Sequence, residues 1–216
     1  MTGELWRVLK IEKGVTAIIG SGGKTSLMLH LCRELPGTVI VCTSTHILLP
    51  DNLPLETGPL TSLPHPKLCA GTWTDQGKLA APVDSFETLA ALADYVLVEA
   101  DGSRRLPLKA HLSHEPAIPS CANQVIQVLG LSGLGRPIDE AAHRPERYAR
   151  LCGAAKSDLA TPERAARVLL AEHLCTQMLL NQADGPAEQA LGRELAQHLD
   201  CPTTLASLQT GWWESV

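Results

Sequence analysis

Aromatic residues, long apolar runs and an excess of positive charge are all missing from this sequence. Phe, Trp and Tyr make up only 3% of its 216 residues, so the core is expected to consist mainly of Leu, Ala, Val and Ile. No apolar run approaches the roughly 20 residues of a membrane-spanning helix, and the polar start at residues 1–4 does not resemble a signal peptide. The net charge of −5 argues against a nucleic-acid-binding protein, which needs a basic face. We therefore expect a cytoplasmic protein with neither a membrane nor a nucleic acid as its partner.

Paired cysteines are lacking as well. The seven cysteines are odd in number and form no Cys-x-x-Cys pair, which is typical of a reducing compartment and not of a disulfide framework. A hydrophobic content of 44% excludes an intrinsically disordered chain. Because a single core seldom grows beyond about 250 residues, we expect one domain over residues 1–216.

Short apolar runs alternate with amphipathic segments of helical length. The predicted strands are Val15–Ile19, Val39–Cys42, Tyr95–Val98, Val125–Leu129 and Thr203–Ser207. Helices are predicted over Thr25–Glu34 and over most of Asp139–Leu180, giving an added helical segment at roughly 139–178, while residues 50–66 are predicted to form a loop. Continuous apolar strands are typical of a parallel sheet covered on both faces. The pattern predicts a three-layer α/β sandwich with a mainly parallel sheet. The segment at residues 20–26, described next, makes this a sandwich of the P-loop NTPase type.

A glycine-rich segment joins the first predicted strand to the first predicted helix. Residues Gly20, Ser21, Gly22, Gly23, Lys24, Thr25 and Ser26 form this loop. Glycines let several backbone amides point at one anion, and the helix N-terminus adds its own free amides. Lys24 is expected to reach the β- and γ-phosphates of a nucleotide, and the hydroxyl of Thr25 to bind Mg²⁺. The spacing is shorter than in the standard loop, because Ile18 stands where the first glycine belongs, and it is close to the loop of the Mur ligases.

Two carboxylates follow the third predicted strand. Residues two apart in an extended segment point to the same side, so Glu99 and Asp101 are expected to face the same phosphates. Nucleotide sites use such carboxylates to hold Mg²⁺ or to orient the attacking water. The sequence leaves open which of the two does which, and both are predicted as catalytic and metal-binding residues together with Lys24 and Thr25.

A loop near the C-terminus is a candidate for reading the base. Asn181 and Asp184 match the Asn-Lys-x-Asp loop of guanine-selective proteins, and Ala206-Ser207 loosely matches the segment that follows the next strand. Gln182 replaces the lysine whose alkyl stem covers the base. The choice between ATP and GTP therefore stays open.

Basic and histidine side chains follow the two carboxylates. Arg104, Arg105, Lys109 and His111 lie in what is predicted to be an open loop, where they are available to a transferred phosphate or an anionic substrate. The alternative is a solvent-exposed loop in which these residues have no binding role. The sequence also leaves open the roles of His46, His111, His114 and His143.

The ordered set of motifs resembles one family over residues 8–210. The motifs are Gly-Ser-Gly-Gly-Lys-Thr-Ser (20–26), Thr-Ser-Thr-His (43–46), Val-Glu-Ala-Asp-Gly-Ser (98–103), Pro-Leu-Lys (107–109), His-Glu-Pro-Ala-Ile-Pro (114–119), Gly-Leu-Ser-Gly-Leu-Gly (130–135), His-Arg-Pro-Glu (143–146) and Leu-Asn-Gln-Ala-Asp (180–184). Together they resemble the YqeC family, accessory proteins of selenium-dependent molybdenum hydroxylases. The resemblance implies partners among a molybdenum hydroxylase and its cofactor-assembly proteins.

Three hypotheses follow. The first is a Mg²⁺-dependent hydrolase of ATP or GTP that serves as an accessory factor in selenium or molybdenum cofactor maturation, a biological role that comes from the resemblance alone. The second is a phosphoryl transferase or ligase that acts on a small anionic acceptor. The third is a non-catalytic carrier of a nucleotide-containing molybdenum cofactor.

Overall fold

A nine-stranded sheet forms the centre of the protein in a computed structural model, which describes residues 3–216. Met1 and Thr2, part of the polar start noted above, lie outside the described residues. Across the sheet the strands are β13 (Trp212–Ser215), β12 (Thr203–Ser207), β11 (Gln177–Asn181), β9 (Ala122–Gly130), β1 (Gly14–Gly20), β7 (Tyr95–Glu99), β2 (Val39–Thr43), β4 (Lys67–Ala70) and β3 (Leu55–Glu56). Two small two-stranded sheets pair β5 (Thr72–Trp73) with β6 (Leu79–Ala80), and β8 (Leu108–Lys109) with β10 (Ala142–His143).

The large sheet is parallel at every pairing except that of its edge strand β13 with β12. Every residue of β2 and β7 is buried. Such continuous burial is what a parallel sheet requires when helices cover both of its faces. Strand β1 lies between β7 and β9, so its carboxyl end opens at the middle of the sheet.

Helices cover the two faces of the sheet. The helices are α1 (Leu5–Val8), α2 (Lys24–Glu34), α3 (Phe86–Leu92), α4 (Ile138–Ala141), α5 (Pro145–Cys152), α6 (Pro162–Glu172) and α7 (Pro186–Ala196), with a 3₁₀ turn at Leu131–Gly133. Helices α1 and α2 pack on one face, and α3 through α7 pack on the other. The predicted three-layer α/β sandwich with a mainly parallel sheet is therefore confirmed. None of the helices within residues 3–216 is long and apolar enough to cross a membrane.

The predicted helical segment extends too far at its C-terminal end. The helices of this segment end at Glu172, and Gln177–Asn181 is a strand of the central sheet. A short apolar run that is buried on all sides has the same pattern in a helix and in a strand, so Met178–Leu180 could not be assigned from periodicity. The predicted helix start at Thr161 is confirmed, since its hydroxyl accepts a hydrogen bond from the amide of Arg164 at 3.3 Å, with Pro162 at the first helical position.

Candidate functional site

The carboxyl ends of the parallel strands meet at one edge of the sheet. The glycine-rich loop follows β1, two carboxylates lie at the end of β7, and Asn181 and Ser207 end β11 and β12. In open parallel sheets, ligands bind in the crevice outside these strand ends. The topology thus brings together sequence segments that are up to about 190 residues apart.

The glycine-rich loop is folded so tightly that side chains cannot replace its glycines. Gly20, Gly22 and Gly23 have φ angles of 91°, 80° and 131°, in the region that L side chains rarely adopt. A Cβ at Gly22 would collide with the backbone of Gly130, and one at Gly23 would collide with the side-chain amide of Asn181. The loop is therefore a fixed turn from β1 into α2.

Consecutive amides of this loop have no protein acceptor. Within residues 3–216, the N–H groups of residues 22–26 donate to no other group, whereas the amide of Ser21 donates to Val128 O at 2.8 Å. Gly23 caps α2 without a side-chain hydrogen bond. Free amides at the N-terminus of an 11-residue helix, together with the helix dipole, attract an anion.

Lys24 lies at the base of the loop with only 4% of its side chain exposed. Its Nζ donates to Gly20 O at 2.8 Å and to Ser103 Oγ at 3.3 Å. The same atom lies 3.1 Å from Asp101 Oδ1 and 3.7 Å from Glu99 Oε1. The ammonium group is thus held beside both carboxylates that the sequence analysis selected.

Glu99 and Asp101 have different surroundings. Glu99 accepts a hydrogen bond from Thr25 Oγ1 at 2.8 Å and lines the open cleft. Burial raises the pKa of Glu99 and outweighs the opposing effects of the Lys24 charge and the Thr25 hydrogen bond. Asp101 is completely buried and lines neither of the two clefts described below. Of the two carboxylates, Glu99 lines a cleft and Asp101 does not.

Asp101 is surrounded by donors. Its Oδ2 accepts from the amide of Gly20 at 2.9 Å, from Lys109 Nζ at 3.0 Å and from His111 Nε2 at 2.7 Å. Burial alone would raise the pKa of this carboxyl, but the His111 hydrogen bond and the charges of Lys24 and Lys109 lower it to about 2. Asp101 therefore stays ionised and fixes the positions of the groups around it.

His111 joins Asp101 to a residue that the sequence analysis missed. Its Nδ1 lies 2.7 Å from Glu172 Oε2, and its backbone amide donates to Glu172 Oε1 at 2.6 Å. Burial lowers the pKa of His111, but the hydrogen bonds to Asp101 and Glu172 outweigh burial and raise it. Glu172 is the last residue of α6, 61 residues from His111, and no local pattern marks it.

The basic residues of the predicted open loop fall into a buried pair and an exposed pair. Lys109 and His111 are buried and take part in the ion pairs of Asp101, so the expectation that they are available to a substrate is wrong. They are drawn inward because Asp101 needs compensating charge when it is removed from water. Arg104 and Arg105 do remain exposed and line the cleft.

The candidate base-reading residues lie together on the other side of the loop. Asn181 is buried, and its Nδ2 donates to Gly22 O at 2.7 Å while its Oδ1 accepts from the amide of Leu208 at 3.2 Å. Asp184 is exposed and accepts a hydrogen bond from Ser207 Oγ at 2.6 Å. Gln182 accepts a hydrogen bond from Ser132 Oγ at 2.6 Å.

Two clefts share the loop as their common floor. The first, the base-side cleft, has a volume of about 580 Å³ and is lined by Leu29, His30, Arg33, Asn181 and Asp184, among others. The second, the phosphate-side cleft, has a volume of about 820 Å³ and contains Lys24, Thr25 and Glu99. Gly22, Gly23, Ser26 and Gln182 line both. The arrangement accommodates an elongated ligand whose anionic part lies on the loop.

Fold and site together define a three-layer α/β protein in which a central strand leads through a glycine-rich loop into a helix. Sequence comparison then identifies its family, because the family described as "YqeC protein" matches residues 16–146, more than half of the chain. The chain belongs to the YqeC family, as its motifs predicted. A curated relative from Escherichia coli (strain K12), named "Uncharacterized protein YqeC", is 35% identical over 158 residues. That match covers 64% of this chain and 60% of the relative.

Proposed function

We propose that this protein binds a Mg²⁺–nucleoside triphosphate on the glycine-rich loop and hydrolyses its terminal phosphate. The observation that carries the proposal is the run of free amides at residues 22–26, which line the phosphate-side cleft beside the Lys24 ammonium group. Phosphate oxygens are the acceptors that such a set of donors matches best.

Lys24 is held ready for this role by Asp101. The ion pair places Nζ within the loop and gives the almost completely buried ammonium group a counter-charge. A phosphate on the loop amides would give Nζ further acceptors beside Gly20 O. In this proposal Asp101 is a positioning residue, because its Oδ2 already accepts three hydrogen bonds, its Oδ1 faces Lys24 Nζ, and it lines neither cleft.

The chemistry of Thr25 and Glu99 fits Mg²⁺. A hydroxyl and a carboxylate lie 2.8 Å apart at the loop, and both are hard oxygen ligands. Mg²⁺ sites of nucleotide-binding proteins use one or two such groups and complete the shell with phosphates and water. Bound Mg²⁺ would neutralise charge on the β- and γ-phosphates. Glu99, the carboxylate that faces the cleft, would also orient the attacking water.

The biological role rests on the family resemblance. It supports an accessory factor in selenium or molybdenum cofactor maturation, acting with a molybdenum hydroxylase or its assembly proteins in the cytoplasm. Asn181 and Asp184 would bind the base, and ATP and GTP are the two nucleotides to compare.

Nucleotide binding and turnover in matched variants test this proposal. We expect Mg²⁺–ATP or Mg²⁺–GTP to raise the melting temperature of the protein and to be hydrolysed slowly. Thr25→Val should weaken the Mg²⁺-dependent part of binding by about tenfold or more, and Lys24→Ala should abolish the shift. Thr57→Val is the control, since Thr57 is exposed and lines neither cleft.

Two outcomes would contradict the proposal in different ways. A folded wild-type protein whose melting temperature responds to neither nucleotide would refute binding. Tight binding with no release of phosphate would refute hydrolysis and favour the carrier hypothesis, and mass spectrometry of the nucleotide retained on purification would then identify the cargo.

A further inference from the structure

Positively charged side chains line the phosphate-side cleft beyond Lys24. They are Lys78, Arg104, Arg105 and Arg144, which we call the cationic wall, and the side chains of His46 and His143 lie in the same lining. The cleft encloses about 820 Å³, within the range of small-molecule sites. In a chain whose net charge is −5, this concentration of positive charge is a local feature and not an average property.

Most of the positive charge of this wall is uncompensated. Within residues 3–216, the side chains of Lys78, Arg104 and Arg105 form neither a salt bridge nor a hydrogen bond with another residue. Arg144 pairs with Glu115 at 2.9 Å, and Glu115 also lies 3.4 Å from Lys109. The wall therefore presents three free cations to the cleft, whereas the charges around Asp101 are balanced by one another.

The backbone of the arginines is held in an uncommon conformation. Arg104, Arg105 and Arg144 have φ angles of 51°, 62° and 69°, in the left-handed region that disfavours residues with a Cβ. Such residues persist only where the surroundings hold them, often at ligand sites. Three arginines in this conformation around one cleft point to a built binding surface.

The proposed nucleotide leaves this wall without a ligand. A base in the base-side cleft and phosphates on the shared loop would direct the terminal phosphate toward Glu99, which lines the same cleft as the wall. The loop amides, Lys24 and the oxygen ligands of Mg²⁺ would then already contact the triphosphate. The wall residues are not among these contacts.

We propose that the cationic wall binds a second ligand, a small molecule that carries a phosphate or carboxylate group, next to the terminal phosphate of the nucleotide. Guanidinium groups recognise both anions through paired N–H donors. The inference rests on the proposed function for the orientation of the nucleotide, but the oxyanion site itself is defined by the residues of the wall.

Anion binding to the nucleotide-loaded protein tests this inference. The non-hydrolysable imido analogue of the preferred triphosphate, with Mg²⁺, first occupies the loop and the position of the terminal phosphate. Inorganic phosphate and succinate are then titrated separately by calorimetry, so that the two arms distinguish the phosphate source from the carboxylate source. We expect one of them to bind, and Arg104→Gln combined with Arg105→Gln to weaken that binding by about tenfold or more.

A matched control and a second readout separate this site from the nucleotide site. Arg150→Gln should bind the anion as the wild type does, because Arg150 is exposed on α5 and lines neither cleft. In the double variant the affinity for the triphosphate analogue should fall by less than about threefold. An equal loss of analogue affinity and anion affinity would overturn the inference, since the arginines would then serve the triphosphate itself.

Two further results decide the remaining cases. If neither anion binds the loaded wild-type protein, the second site is refuted while nucleotide binding stands. If the nucleotide analogue does not bind at all, the titration of the free protein still decides the question. Anion binding that the arginine variant loses would then support the cationic wall although the proposed function had failed, and binding unchanged by the variant would refute it.

Discussion

Asn181 connects three segments of the site through one side-chain amide. Its Nδ2 donates to Gly22 O across 159 residues of sequence, and its Oδ1 accepts from Leu208 N. With 5% of its surface exposed, it has little access to water that would replace either bond. Asn181 therefore holds the glycine-rich loop in place from strand β11, which is separated from β1 by β9.

Removing this amide should weaken both the fold and nucleotide binding. Asn181→Ala leaves two buried backbone groups without partners, which costs about 1–3 kcal/mol of the free energy of unfolding. We expect urea denaturation to show this loss and the affinity for Mg²⁺–nucleotide to decrease with it. Asn123→Ala is the matched control, because Asn123 is exposed and donates one hydrogen bond to Lys13 O at the opposite end of the sheet. Equal effects of the two substitutions would contradict a specific role for Asn181.

The two acidic residues should respond differently to neutral substitutions. Glu99→Gln keeps an acceptor for the Thr25 hydroxyl and removes the charge at the cleft. We therefore expect nucleotide binding to lose its dependence on Mg²⁺ in a protein that remains folded. Asp101→Asn leaves Lys24, Lys109 and His111 without their shared counter-charge, which costs about 3–5 kcal/mol for a buried charged group. Thermal unfolding and Mg²⁺ titration of both variants make the comparison. Similar stabilities would be inconsistent with the division of roles.

At the scale of elements, His111 ties the end of β7 to the end of α6. Both of its ring nitrogens lie 2.7 Å from a carboxylate oxygen, one of Asp101 and one of Glu172. A neutral imidazole has only one N–H and would leave one of these contacts without a proton. The geometry therefore agrees with the raised pKa of His111, because two carboxylates favour the doubly protonated ring.

This ion bridge makes stability depend on pH in a defined direction. A histidine whose pKa in the folded state is raised above the ordinary value of 6.5 stabilises the protein fully below pH 6.5. This stabilisation is lost as the pH rises through the folded-state pKa. The stability difference between the wild type and His111→Gln should therefore shrink as the pH rises from 6 toward 9. Chemical denaturation across this range measures it, with the exposed His65→Gln as control. A difference that grows with pH would show that the imidazole is neutral in the folded protein.

Local chemistry made some elements predictable and left others hidden. The loop at residues 20–26 was predictable because glycines, a lysine and a hydroxyl must follow a strand and precede a helix to bind phosphate. Strand β11 was mistaken for helix because Met178–Leu180 is apolar on both faces. The role of Glu172 could not be predicted from the sequence, because its contact with His111 depends on the packing of α6. Sequence patterns thus predicted the residues that line the clefts better than the buried residues that support them.

At the scale of the whole molecule, the seven free thiols should differ widely in reactivity. Cys32, Cys42, Cys69 and Cys152 are buried, and burial raises the pKa of each. The pKa of the partly exposed Cys121 is also raised, first by its burial and then by its contact with Glu87. Cys201, just before β12, accepts a hydrogen bond from the thiol of Cys175, which lowers its pKa.

Because the thiolate is the reactive form, limited alkylation at neutral pH should label Cys201 first. Peptide mass spectrometry after brief treatment with iodoacetamide measures the order of labelling. Cys175→Ser keeps a hydroxyl donor beside Cys201 and should retain the fast labelling, whereas Cys175→Ala should slow it, because the thiolate then loses its hydrogen bond. If Cys121 reacted as fast as Cys201, exposure and not the thiol pair would determine reactivity. Cys175 and Cys201 precede β11 and β12, and the opposite ends of these two strands lie at the site. Labelling of Cys201 should therefore leave nucleotide binding intact. The nucleotide-dependent thermal shift of the modified protein measures this.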